Sequence, residues 1–114
     1  MSQQNGAGEK TLARGKTLND WRQEIDTLDT ELLRLLNQRA AIACEIAVVK
    51  VASGLPAHDG KRESQVLARM AEKNTGPLDQ QGVSAIFHSI ITETRRLGTQ
   101  RMQQSGAAAT RVQR

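Results

Sequence analysis

A single long apolar repeat limits what this chain can fold into. Trp21, Ile25, Leu28, Leu32, Leu35, Ile42, Ile46 and Val49 recur at alternating four- and three-residue steps, the seam of a helix that packs lengthwise on another helix. Between Leu35 and Ile42 the seam position is filled by Arg39, a charge where the pattern reserves a core residue. A neighbouring seam runs Arg22, Asp26, Asp29, Leu33, Leu36, Ala40, Ala43, Ala47, Lys50, so small side chains lead up to a lysine and leave room beside it. A helix over about 35 residues spans roughly 50 Å, whereas a compact domain of this size has a radius of gyration of about 13 Å. The rest of a 114-residue chain cannot cover such a rod. A second copy lying along it is expected, with the long helices intertwined about a two-fold axis.

Two breaker clusters, Ser53-Gly54-Leu55-Pro56 and Asn74-Thr75-Gly76-Pro77, each put Gly where a helix stops and Pro just beyond. They predict three helices, near 18–53, 59–74 and 78–103, with no internal repeat. Only Trp21 and Phe87 are aromatic and Tyr is absent, while Ala, Leu, Gln and Arg are plentiful, which favours helix over strand. The expected fold class is all-α: a three-helix chain with a long first helix, paired as a homodimer. One domain over 17–103 is expected, flanked by mobile tails at 1–16 and 104–114, which lack hydrophobic periodicity.

The net charge of +4 sits partly in those tails, at Lys10, Arg14, Lys16, Arg111 and Arg114. A nucleic-acid binder needs a dense basic face and usually aromatic rings to stack on bases, so no nucleic-acid partner is expected. The lone Cys44 rules out an internal disulfide and reads as a buried small residue rather than a nucleophile. No Cys/His grouping has zinc spacing, and His58 and His88 read as turn or surface residues. No apolar run is long enough to span a bilayer, and residues 1–16 carry no hydrophobic signal core. The cytosol is the expected address.

Arg39 and Lys50 lie eleven residues apart, about three helical turns plus 20°, hence on one face. Their alpha carbons are about 16 Å apart along a helix axis, so two long side chains leaning inward bracket a molecule the size of a substituted ring. Arg62 opens the second helix and closes the same space. That helix turns Asp59, Glu63, Val66, Leu67 and Met70 to one face, and the third turns Val83, Ile86, Phe87, Ile90, Ile91, Thr94 and Leu97, followed by basic Arg95, Arg96 and Arg101. Charges facing a core need partners. Two arrangements supply them: internal salt bridges of Arg39, Lys50 and Arg62 with Asp59, Glu63 and Glu45, or a bound anion. Arg22 stands about 100° off the Arg39 face. It either pairs with Asp26 on the surface or, in an intertwined dimer, enters the partner's pocket. Cations without a nucleophile, metal or cofactor loop suit chemistry in which the protein holds and polarises its substrate.

The runs Trp21 to Asp29, Leu32 to Arg39, Ile46 to Lys50 and Pro56 to Glu63, with Ile86-Phe87 through Ile90-Ile91 to Thr94, closely resemble the helical chorismate mutases, including the mutase domain of the bifunctional mutase/prephenate dehydratase. The similarity covers roughly residues 18–98. The resemblance implies an intertwined dimer with two equivalent pockets, chorismate as substrate, its rearrangement to prephenate, and no cofactor or metal. Arg39 and Arg22 resemble the arginines that hold the substrate carboxylates, with Arg22 supplied by the other subunit. Lys50 resembles the residue that binds a carboxylate and the ether oxygen. Arg62 matches a further arginine, Asp59 and Glu63 the groups that engage the ring hydroxyl and order the site, and Thr94 a small hydroxyl residue near a carboxylate.

The chain departs from the family four residues after Thr94, where Gln or Glu usually gives a second contact to the ether oxygen and this sequence has Gly98. Gln100 or another polar group replaces it, water fills the gap, or activity is low. Two rival functions follow: an isochorismate pyruvate lyase, which shares the helical dimer, and a catalytically weak helical dimer with a regulatory or partner-binding role. The second predicts a gain of activity on Gly98→Gln.

Overall fold

A computed structural model describes residues 15–113, with side chains as far as residue 104. Three helices follow in order, α1 (Leu18–Ala52), α2 (Gly60–Lys73) and α3 (Gln80–Gln113), and no strand occurs among the described residues. The described chain falls into two units, one ending at Leu36 and one beginning at Asn37, and α1 runs through the boundary.

Each helix begins on a side-chain cap that satisfies otherwise orphaned N–H groups. At α1 the cap is reciprocal: Thr17 Oγ1 accepts from the Asp20 N–H at 3.1 Å while Asp20 Oδ2 accepts from the Thr17 N–H at 3.0 Å. Lys16 lies 4.4 Å from the Trp21 ring centroid and pairs with Glu24. Asp59 caps α2 by accepting from the Arg62 N–H at 3.0 Å, and Asp79 caps α3 by accepting from the Gly82 N–H at 2.7 Å. Residues 1–14 of the expected first tail lie outside the described residues.

α1 stops on a Schellman motif. The Leu55 N–H reaches back to the Lys50 carbonyl at 2.8 Å and the Gly54 N–H to Val51 at 3.2 Å, with Gly54 at φ 70°. α2 ends at Asn74, whose amide donates to the Leu78 carbonyl at 2.7 Å and accepts from the Gly76 N–H at 3.2 Å. α3 passes the expected end near 103 and continues to Gln113, so the second expected tail is helical over most of its length. No proline follows Pro77 to stop it, Ala107–Ala109 favour helix, and one Gly at 106 costs only about 1 kcal/mol.

Among the described residues the buried apolar side chains are Val66 on α2 with Val83 and Ile91 on α3, joined by Thr94 at 8 % exposure. This is a thin core. α1 contributes no buried residue, and its seam residues Ile25, Leu28, Leu32, Leu35, Ile42, Ile46 and Val49 are 46–60 % exposed. Cys44 is accordingly half-buried rather than enclosed.

Gly54 holds a left-handed backbone, with open space where a Cβ would stand. Gly54→Ala should therefore cost about 1–2 kcal/mol through backbone conformation alone. Denaturant unfolding should show a lowered midpoint at unchanged slope.

Candidate active site

Within the second unit a cavity of about 760 Å³ opens between the C-terminal part of α1, the α1–α2 connection, the first turns of α2 and the middle of α3. Arg39, Lys50, Asp59, Arg62, Glu63 and Thr94, all singled out in the sequence, line it together. Arg22 lies in the first unit, exposed, and is not part of this lining.

Arg39 is half-buried, and burial, followed by the charge of Arg62, pushes its guanidinium below the ordinary arginine range. Its Nη1 donates to Thr94 Oγ1. The Thr94 hydroxyl in turn donates to the Ile90 carbonyl at 2.8 Å, which leaves its oxygen free to accept from Arg39. That explains a hydroxyl in an otherwise apolar stripe. Lys50 Nζ donates to the Ala57 carbonyl at 2.9 Å, tying the end of α1 to the following turn. Asp59, expected among inward-facing carboxylates, spends one oxygen on capping α2.

Glu63 is held from two sides. Its Oε2 pairs with Arg95 of α3, and its Oε1 lies 3.6 Å from His58 Nε2. No ion pair joins Arg39, Lys50 or Arg62 to Asp59, Glu63 or Glu45 among the described residues, so the internal salt-bridge arrangement is not the one found. Four cations, Arg39, Lys50, Arg62 and Arg95, share the lining with two carboxylates, Asp59 and Glu63. The excess of two positive charges matches a small dianion. Ile42, Ile46, Val66, Ile91 and Met102 give the apolar part of the lining.

Arg95 is the residue that the sequence reading passed over, seen only as part of a basic stretch. It sits one helical turn beyond buried Ile91 and next to Thr94, a spacing that already turned it inward. The following Arg96 points elsewhere, pairing with Glu93 at 2.9 Å. His88 is exposed, as expected of a surface residue. No group of three His, Cys, Asp or Glu side chains able to hold a metal occurs among the described residues, and no helix among them is long and apolar enough to cross a membrane.

Gly98 is buried, and a Cβ built there would stand 3.1 Å from the Ala43 carbonyl oxygen and 3.2 Å from Ala47 Cβ. The small residues Ala43 and Ala47, read in the sequence as room around Lys50, are the surface against which α3 makes its close approach. Gly98 is a contact point between helices, so a longer side chain does not simply extend into free space.

The unit is all-helical and gathers four cations, Arg39, Lys50, Arg62 and Arg95, around one cavity. The family model for chorismate mutase type II matches residues 21–99, and the chain belongs to that family. A bifunctional chorismate mutase/prephenate dehydratase of Aquifex aeolicus is 35 % identical over 79 residues, 66 % of this chain and 22 % of that protein. The chain thus spans about a fifth of such bifunctional relatives. A chorismate mutase of Methanocaldococcus jannaschii is 27 % identical over 90 residues, covering 77 % of this chain and 90 % of that one. Among solved structures, a chorismate mutase of Thermus thermophilus superposes with a TM-score of 0.70 at 32 % identity, over 72 % of this chain and 93 % of that one.

Gly98→Gln should overpack the contact with α1 and destabilise the fold by about 1–3 kcal/mol. A lowered thermal midpoint without a gain in turnover is the expected result.

Proposed function

We propose that this protein is a cytosolic chorismate mutase, rearranging chorismate to prephenate without a cofactor, with residues 17–103 as the mutase domain of an intertwined two-fold homodimer. The observation that carries the reading is a cavity in a type II family chain where Arg39, Lys50 and Arg62 share space without carboxylate partners of their own. An anion of two charges answers that imbalance. Support for the dimer comes from α1, a 35-residue helix with no buried residue, whose exposed seam is what a second copy would cover.

The reaction is unimolecular: one carbon–oxygen bond breaks as a carbon–carbon bond forms, and no proton need move. Catalysis then consists of holding the compact conformer and meeting the charge that develops on the ether oxygen. Arg39, steadied by Thr94, holds one carboxylate, and Arg22 of the partner subunit holds the other. Lys50 is the donor to the ether oxygen. Arg62 adds positive potential from α2, while Asp59 and Glu63 engage the ring hydroxyl and order the site. Gly98, engaged in helix contact, does not need decay of the pocket to explain it, which weighs against a purely regulatory dimer.

Lys50→Ala should lower kcat by about a hundredfold or more, the effect of losing one preorganised donor worth about 2.7–4 kcal/mol. The check is direct measurement of prephenate formation, with isochorismate as a second substrate to expose any lyase activity. Refolding equal amounts of Lys50→Ala and Arg22→Ala together should recover about one quarter of wild-type activity, since half the dimers would be mixed and each would hold one intact site. No recovery would sink the shared site, and no prephenate from the wild-type protein would sink the function.

A further inference from the structure

We infer that Arg95 is a positioning residue of the cavity, which neutralises Glu63 across the α2–α3 contact so that an incoming dianion meets the remaining cations unopposed. The inference rests on reading the cavity as a dianion site. Its physical basis is the unequal treatment of the two lining carboxylates. Asp59 is spent on a helix cap, where backbone N–H groups and the positive end of α2 offset its charge. Glu63 lies in the same first turn, so the helix end offsets part of its charge too, but its ion-pair partner is Arg95 and its side chain is only 17 % exposed. Without Arg95 it would stand as a negative charge on the wall that a dianion must approach.

Arg95 is suited to this task by geometry. Its guanidinium reaches Glu63 Oε2 from the opposite helix, and its buried Nη1 makes no aligned hydrogen bond, so the attachment is one of charge rather than of direction. His58, on the other carboxylate oxygen at 3.6 Å and 64 % exposed, is beyond hydrogen-bond distance and does not stand in for the arginine. Arg96 cannot replace it either, being engaged with Glu93 and Gln100 on the outer side of α3. Removing Arg95 would leave three cations facing two carboxylates, halving the positive excess of the lining.

Arg95→Met should raise KM for chorismate about tenfold while kcat falls less than about threefold, because ground state and transition state carry the same two carboxylates. Arg95→Lys should keep KM near the wild-type value. Glu63→Gln, alone and combined with Arg95→Met, is measured for stability only. A Lys variant as impaired as the Met variant, or an unchanged KM in a folded Arg95→Met protein, overturns the proposal. A double-mutant cycle on denaturant unfolding with the same substitutions reads the pairing without using activity. Non-additive stabilities are expected and additive ones overturn the pairing, even if the wild-type protein were to leave chorismate unchanged, which would be the failure of the mutase reading alone.

Discussion

Positive charge withdrawn from water without matching carboxylates is the condition around which the rest of this molecule is arranged. Arg39 bears it most directly, disfavoured by burial and by Arg62 together. The protein does not relieve that tension internally. Thr94 offers Arg39 a neutral oxygen, Lys50 is given a backbone carbonyl, and Asp59 turns to its own helix. The first two contacts fix a cation in place without a carboxylate beside it, and the third keeps Asp59 from pairing with either.

The helices are short of core in proportion. Among the described residues, three buried apolar side chains and a threonine supply little of the few kcal/mol that separate folded from unfolded states. Helix caps at Asp59 and Asp79 and the Schellman stop at Gly54 fix where the helices begin and end, and Gly98 marks the close approach of α3 to α1. The exposed seam of α1 represents the largest unused source of hydrophobic stabilisation, since burial of a Leu or Ile side chain contributes about 1.5–3 kcal/mol.

Much of this was legible in the residues. Gly54 and Pro56, Gly76 and Pro77 marked the breaks between helices to within a few positions, because helix termination is a local property of backbone conformation. Helical spacing put Arg39 and Lys50 on one face and set Thr94 inside an apolar stripe. What spacing could not give was distance between helices. Whether Gly98 is a missing donor or a point of contact depends on how near α1 comes, and only coordinates supply that. Arg95 was hidden for a related reason: in Arg95-Arg96 the two side chains point about 100° apart, and the choice of which turns inward is set by the packing of Ile91 rather than by charge. The end of α3 escaped because a polar composition without a breaker reads equally as helix or tail.

The link between Lys50 and the Ala57 carbonyl gives one lysine two tasks. The ammonium has three N–H donors, and this contact uses one of them. The other two stay available to the cavity while the turn between Gly54 and Asp59 remains tied to α1. The same side chain thus sets the rim and supplies charge to the space behind it.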